Sequence, residues 1–354
     1  MTDYNPLTAT QTTTEVSKTT LTITGLQVDI YGLAELPPAS NSISCLWLHH
    51  GRLRKREDMA YVAHHMLSSY NSSLANANIS ASTRGLIAIS IDVRNHGSRI
   101  VNDLNNESWN KGNKTHAQDM FTTVNGTVVD TMHLMDALPS YLFGDGHGPG
   151  APTEGKRRID QNIVLGVSLG GHVTWQLLFA EPRVTAGVVV IGCPDYMNLM
   201  KDRARRSKLQ TYTEDEGASF IGSKDFPESL VAMCKKFDAK GTLFGTGEVP
   251  KTPSAAEKDR IRPMLDSRIK GKRIQILSGG ADKLVPYKDG KDFLDFFKDA
   301  TSGWWKEGNV YVEDNLYPKV GHKFEDEMLK DATRFVLDTV KSSDAIDKAV
   351  SPKI

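Results

Sequence analysis

Three residues that together could cleave an acyl bond occur in a set order along the 354-residue chain. Ser168 lies in the stretch Gly-Val-Ser-Leu-Gly-Gly at residues 166–171, Asp282 ends Gly-Gly-Ala-Asp, and His322 follows Gly321. A serine hydroxyl is a weak nucleophile at neutral pH, so it needs a base that takes its proton. Histidine can be that base, and a carboxylate can hold the imidazole in the required tautomer. The set therefore predicts nucleophilic catalysis by Ser168.

The residues around Ser168 have the pattern of a sharp turn between a strand and a helix. We call this turn, residues 166–171, the elbow. An apolar run at residues 163–165 precedes the turn, and a helix-like segment begins at His172. Glycines at 166 and 170 leave room for the strand and the helix to close on each other. Such a turn strains the serine backbone and exposes the hydroxyl at the end of the strand.

Short apolar strands alternate with amphipathic helices, which predicts an α/β fold with about eight strands in a mostly parallel sheet and helices on both faces. We expect a disordered N-terminal arm at residues 1–20 and a core at 21–195 that resumes at 272–345. The alternation lapses at 196–271, which predicts an inserted cap. Residues 346–354 are expected to be a tail.

Two polar segments are predicted to be loops. One is rich in Asn and Ser and spans residues 70–84, and the other is rich in Gly and Pro and spans residues 144–153. Neither has the apolar periodicity of a helix or a strand.

The chain order Ser, Asp, His, each after a strand, is that of the α/β-hydrolase fold, and the chain from about residue 21 to its C-terminal helix resembles that superfamily. Gly-Val-Ser-Leu-Gly-Gly-His and the later Val-Val-Ile-Gly-Cys-Pro-Asp-Tyr look similar to uncharacterised microbial or fungal members near the prolyl-oligopeptidase and acetyl-esterase branch. The resemblance implies an oxyanion hole formed by the backbone N–H groups of Leu169 and Arg52. Asp282 and Asp195 both remain candidates for the triad acid, because some members of the superfamily carry the acid where Asp195 stands. Asp282 is preferred because Gly-Gly-Ala-Asp-x-x-Val-Pro resembles the usual acid turn.

Five further residues are candidates for a substrate pocket: His50, Gly51 and His96, which follow strands, and Arg203 and Arg206, which lie in the expected cap. The two arginines belong to a basic cluster at residues 201–208, which is either a solvated helix face or a surface that attracts substrates bearing a carboxylate or phosphate. Removal of its arginines would then raise KM for anionic esters more than for neutral ones. Asp92-x-Arg94-x-His-Gly also matches a pattern common in the superfamily, and we expect Asp92 and Arg94 to form a structural ion pair.

Serine at the elbow indicates acyl transfer to water through an acyl-enzyme, because epoxide hydrolases and haloalkane dehalogenases of this fold use aspartate there and dienelactone hydrolases use cysteine. We expect a carboxylesterase acting on small or medium esters. A lactonase or a thioesterase is the alternative, since the triad chemistry is shared. A peptidase of the gated oligopeptidase type is disfavoured because no β-propeller precedes the core, and a non-catalytic ligand receptor is disfavoured because all three triad residue types are present.

Charge and composition favour a small-molecule substrate as the partner. Lys+Arg and Asp+Glu both number 43, so the balance predicts neither nucleic acid nor an anionic membrane. No apolar run approaches the roughly 20 residues that span a bilayer, and the polar N-terminus lacks a signal core, so we expect a cytoplasmic protein. No motif has metal-ligand spacing, and we expect no metal and no cofactor. Cys45 and Cys193 lie in apolar runs and are expected to be buried thiols.

Overall fold

The computed structural model describes residue 7 and residues 14–76, 84–144, 148–150 and 156–350. Its strands are β1 (Lys18–Ile23), β2 (Leu26–Tyr31), β3 (Ser42–His49), β4 (Gly85–Ile91), β5 (Arg158–Val167), β6 (Val184–Val190), β7 (Arg273–Gly279) and β8 (Tyr311–Tyr317). Its α-helices are α1 (Ala60–Asn76), α2 (His116–Phe143), α3 (Leu169–Ala180), α4 (Tyr196–Arg206), α5 (Gln210–Thr213), α6 (Glu228–Phe237), α7 (Ala239–Phe244), α8 (Ala255–Arg268), α9 (Tyr287–Ser302) and α10 (Asp326–Val350).

All eight strands form one sheet in the order β1-β2-β4-β3-β5-β6-β7-β8. Strands β3 to β8 pair in parallel, whereas β1 and β2 pair antiparallel at one edge. The predicted α/β fold with a mostly parallel sheet is confirmed. The carboxyl ends of the parallel strands meet at one edge of the sheet, where this architecture collects functional groups.

Alternating side chains along each strand enter two different cores, as the period of a strand requires. In β3, Cys45 and Trp47 pack into the core beneath α2, α3 and α9, whereas Leu46 and Leu48 pack into the core beneath α1 and α10. The sheet is therefore covered by helices on both faces, which explains why its central strands are apolar without interruption.

The segment predicted as a cap, residues 196–271, holds helices α4 to α8 between β6 and β7. Its apolar side chains, among them Leu199, Phe220 and Ile261, are fully buried and join the core beneath α2 and α3. The inserted helices thus share a core with the sheet. That residues 196–271 act as a cap stays a prediction.

The first predicted loop is in part helical, which corrects the prediction for residues 70–76. Helix α1 continues through Asn76, and Tyr70 lies buried with its hydroxyl donating to the carbonyl of Arg84 at 2.7 Å. Burial of this ring outweighs the weak helix propensity of the surrounding Asn and Ser residues. The rest of that loop, residues 77–83, lies outside the described residues.

Regular structure extends into both terminal segments. Strand β1 begins at Lys18, inside the expected arm, and α10 continues to Val350, inside the expected tail. The other described residues of the arm, 7 and 14–17, lie outside the named strands, and most of the predicted loop 144–153 lies outside the described residues. Within the residues that the structure describes, no helix has the length and apolar character needed to cross a membrane.

Candidate active site

Ser168 stands between β5 and α3 in a strained turn. Its φ of 57° and ψ of −110° lie outside the regions that L-residues commonly adopt. The turn is fixed on both sides, because the Ser168 N–H donates to the Val190 carbonyl at 2.9 Å and the Ser168 carbonyl accepts from Gly171 N and His172 N at 2.8 and 3.2 Å. The His172 ring donates from Nδ1 to the same carbonyl at 2.9 Å. These bonds hold the predicted elbow.

The glycines of the elbow leave no space for a side chain. A Cβ at Gly166 would lie 1.9 Å from the Gly170 carbonyl oxygen, and a Cβ at Gly170 would lie 2.1 Å from the His49 carbonyl oxygen. Both obstacles are backbone atoms, which cannot turn aside as a flexible side chain can. The close approach inferred from the sequence is confirmed at both positions.

We predict that Gly170→Ala lowers the free energy of unfolding by about 3 kcal/mol, the upper range for overpacking against an ordered structure. Gly144→Ala is the matched control, since its Cβ would meet no atom of the described residues within 4 Å and its φ of −64° suits alanine. Urea unfolding of the two variants measures the difference. Equal stabilities would show that the elbow yields easily to a methyl group.

The three residues expected to act together form one chain of hydrogen bonds. Ser168 Oγ lies 2.8 Å from His322 Nε2, and His322 Nδ1 lies 2.8 Å from Asp282 Oδ2. A carboxylate can only accept, so Nδ1 carries the proton and Nε2 is free to accept from the serine hydroxyl. The other carboxylate oxygen, Asp282 Oδ1, accepts from the N–H groups of Leu284 and Val285 at 2.7 and 3.0 Å, which orients the carboxylate toward the ring.

Asp195, the alternative acid, has another structural position. It precedes α4, and its Oδ1 accepts from the N–H of Asn198 at 3.0 Å, so it caps the helix. Burial raises the pKa of Asp195. The structure thus places Asp282, and not Asp195, against His322.

The resemblance implies oxyanion donors at the backbone N–H groups of Leu169 and Arg52. Leu169 is the first residue of α3, so its N–H is one of those that the helix itself leaves unpaired. Neither this N–H nor that of Arg52 donates to another backbone carbonyl of the described residues. A helix N-terminus also carries partial positive charge, which stabilises a developing oxyanion.

A small cleft lies beside Leu169 and Arg52. It has about 210 Å³ of empty space, part of which is open to solvent, and is lined by Arg52, His96, Asn105, Asn106, His116, Met120, Thr123 and Leu169. Because Leu169 directly follows Ser168, the cleft is next to the candidate nucleophile. Among the described residues, no group of three or more His, Cys, Asp or Glu side chains could hold a metal ion.

The five residues proposed from the sequence for the pocket differ in position. His96 lines the cleft. His50 does not: its Nε2 accepts from the Val93 N–H at 3.0 Å and its Nδ1 donates to the Gly51 carbonyl at 2.8 Å, so it joins the loops after β3 and β4. Burial lowers the pKa of His50 to about 4, which keeps its ring neutral near pH 7. His50 and Gly51 therefore hold the loop that carries Arg52.

The predicted ion pair between Asp92 and Arg94 is wrong. Asp92 accepts from the backbone N–H of Arg56 at 2.8 Å and from its guanidinium at 2.6 Å. Arg94 instead pairs with Asp130 of α2 through two bonds of 3.0 and 2.8 Å. Asp92 thus fixes the loop after β3, and Arg94 ties the loop after β4 to α2.

The basic cluster on α4 is not an open cationic surface. Arg205 and Arg206 both form ion pairs with Asp202, at 2.8 and 2.7 Å. Arg206 also donates to the carbonyl of Lys283 and, like Arg205, does not line the cleft. Arg203 is buried, and its Nη1 contacts His116 Nε2 at 2.9 Å, directly behind the cleft.

Four polar residues of the cleft were missed from the sequence: Thr123 within α2, and a group of three near its start, Asn105, Asn106 and His116. All three belong to the segment between β4 and α2 or to the first turn of α2. The sequence feature that could have indicated them is their position after a predicted parallel strand, because the loops at the carboxyl ends of such strands line the site. No motif marked them, because their chemistry depends on the loop conformation.

No protein-family model and no curated protein matches the chain. Among solved structures, TT1662 from Thermus thermophilus is 15% identical with a TM-score of 0.49, covering 92% of this chain and 99% of that one. The esterase Pf2001 from Pyrococcus furiosus is 14% identical with a TM-score of 0.45, covering 94% and 98%. A putative dipeptidyl aminopeptidase IV from Bacteroides ovatus is 15% identical with a TM-score of 0.48, and the match spans 92% of this chain but 36% of that protein. Similarities at this level carry no conclusion about activity.

Proposed function

We propose that this chain, which has the α/β-hydrolase fold, is a serine hydrolase that cleaves small carboxylic esters through an acyl-enzyme intermediate. The observation that carries the proposal is the unbroken hydrogen-bond chain from Ser168 Oγ through His322 to Asp282. It joins a nucleophile, a base and an orienting carboxylate, each after a different parallel strand.

The geometry supports a two-step reaction. Ser168 Oγ attacks the ester carbonyl carbon while its proton passes to His322 Nε2, and the imidazolium that forms is stabilised by Asp282. His322 then returns the proton to the departing alcohol, which leaves the acyl group on Ser168. A water molecule repeats the attack with His322 as base, and the carboxylic acid is released. The N–H groups of Leu169 and Arg52 are the proposed donors to the tetrahedral oxyanion in both steps.

The cleft supports a small substrate. Its empty space of about 210 Å³ includes solvent at its open side, so only part of it is enclosed by protein. Ser168 itself is only 7% exposed, so a bulky chain has little access to its hydroxyl. Short acyl esters suit this limited access to Ser168. Enzymes that cleave lactones or thioesters can use the same triad, so the type of bond that this chain cleaves is determined by assaying all three.

We expect purified protein to hydrolyse p-nitrophenyl acetate and to leave acetyl p-nitroanilide intact, because the triad must expel a poorer leaving group from the anilide. The two substrates share one acyl group and differ only in the bond, so the anilide is the internal control. A thioester and a five-membered lactone complete the panel. Anilide cleavage as fast as ester cleavage would contradict the esterase proposal in favour of an amidase or peptidase.

A further inference from the structure

The cleft beside Ser168 has a positive electrostatic character. Arg52 lines it, and no carboxylate is among its lining residues. Arg52 Nη1 donates to the carbonyl of Asn106 at 2.6 Å and forms a long ion pair with Glu107 Oε2 at 3.9 Å, beyond hydrogen-bond distance. This contact uses one donor of the guanidinium, and the remaining N–H groups are suited to a planar carboxylate.

A second cation lies directly behind the cleft wall. The Arg203 guanidinium contacts two lining residues, His116 Nε2 at 2.9 Å and Met120 Sδ at 3.2 Å, and donates to the Leu284 carbonyl at 3.2 Å. It forms no ion pair with any carboxylate of the described chain, and its Nε is buried without a partner. The carboxylate of Asp282 acts on Arg203 from beyond ion-pair distance, and a buried charge with no counter-ion in contact is costly, so its retention calls for an explanation.

His116, a lining residue in contact with Arg203, carries no charge of its own. Its Nε2 faces the Arg203 guanidinium as an acceptor, so its proton is on Nδ1, which donates to the Glu107 carbonyl at 2.7 Å. Burial, together with the charge of Arg203, lowers the pKa of His116 to about 2. The ring is therefore neutral and leaves the positive potential of Arg52 and Arg203 in the cleft.

We propose that the substrate of this site carries a carboxylate, which enters the cleft and binds the guanidinium of Arg52. This rests on the proposed function, since it assigns the substrate class of the same site. The anion neutralises the field of Arg52 and Arg203 at a place where little water screens it. The specificity hypothesis made for the arginines of α4 thus moves to Arg52, with Arg203 as its buried support.

The test compares two esters that differ only at the end of the acyl chain, methyl hydrogen glutarate and methyl pentanoate, followed by acid release in a pH-stat. The specificity ratio is kcat/KM for the first divided by kcat/KM for the second. In Arg52→Met we expect this ratio to fall by about tenfold or more, as loss of a hydrogen bond to a charged group requires. Arg205→Met is the matched control, because it removes the same charge from an arginine paired with Asp202 outside the cleft.

A ratio that is unchanged in Arg52→Met, or that falls equally in Arg205→Met, overturns the inference while leaving the esterase proposal intact. Failure of the esterase proposal itself is recognised separately, by lack of hydrolysis of both esters. In that case, calorimetric titration of the protein with methyl hydrogen glutarate decides. Binding that Arg52→Met abolishes supports the carboxylate site, and no binding to the unmodified chain overturns it.

Discussion

Replacement of Ser168 by alanine is expected to lower kcat for p-nitrophenyl acetate by about 10⁶-fold, the loss found when a triad serine is removed. Without Oγ no acyl-enzyme forms, and His322 has no hydroxyl to deprotonate. A fluorophosphonate probe, which phosphonylates an activated serine, should label the unmodified protein at Ser168 and leave Ser168→Ala unlabelled. Mass spectrometry of the labelled peptide identifies the site.

Ser278→Ala is the control for this experiment. Ser278 lies in β7 near its carboxyl end and is 7% exposed, the same fraction as Ser168, but it has no place in the hydrogen-bond chain. We expect it to keep both activity and labelling. Full activity of Ser168→Ala would refute the catalytic assignment, and an unlabelled wild-type protein would favour a non-catalytic ligand receptor.

Much of the fold and the three residues of the hydrogen-bond chain could be predicted from the sequence. Both depend on the local pattern of apolar and polar residues and on the order of the residues along the chain. Uninterrupted apolar strands indicate a sheet that is buried on both faces. A serine flanked by Gly166 and Gly170 indicates a turn too tight for side chains at the two glycine positions. Ser168, Asp282 and His322 each follow a parallel strand, so the topology alone brings them to one edge of the sheet. Such inferences require no knowledge of side-chain contacts.

Ion-pair partners could not be predicted in the same way. Asp92 and Arg94 are neighbours in sequence, yet Asp92 pairs with Arg56 and Arg94 pairs with Asp130, each 36 residues away along the chain. These choices depend on how loops pack after the sheet has formed. They decide which cations are left without a carboxylate at hydrogen-bond distance, and so they decide where an anionic substrate could bind.

The ion pairs of the basic cluster on α4 are different, because the sequence contains a spacing that predicts them. Asp202 precedes Arg205 by three residues and Arg206 by four, the spacing at which side chains meet on a helix. That spacing predicts two paired arginines. The burial of Arg203 had no such signal, since it follows from the packing of α4 against α2, through contacts with His116 and Met120.

Asp282→Asn is expected to lower kcat by about 10⁴-fold with little loss of stability, as a triad-aspartate amide did in another enzyme. The physical reason is the tautomer of His322. Asp282 Oδ1 accepts two backbone N–H bonds, so the oxygen of an asparagine would keep that side and its NH₂ would face His322 Nδ1. Nδ1 would then have to accept, the proton would move to Nε2, and Nε2 could no longer take the proton of Ser168.

Asp195→Asn is the matched variant that tests the alternative acid with the same chemical change. Asparagine caps a helix about as well as aspartate, so the bond from the Asn198 N–H persists and α4 stays in place. We expect kcat on p-nitrophenyl acetate to remain near that of the unmodified protein. A collapse of kcat in Asp195→Asn together with full activity in Asp282→Asn would reverse the assignment, and it would require His322 to leave the position in which its ring contacts Asp282.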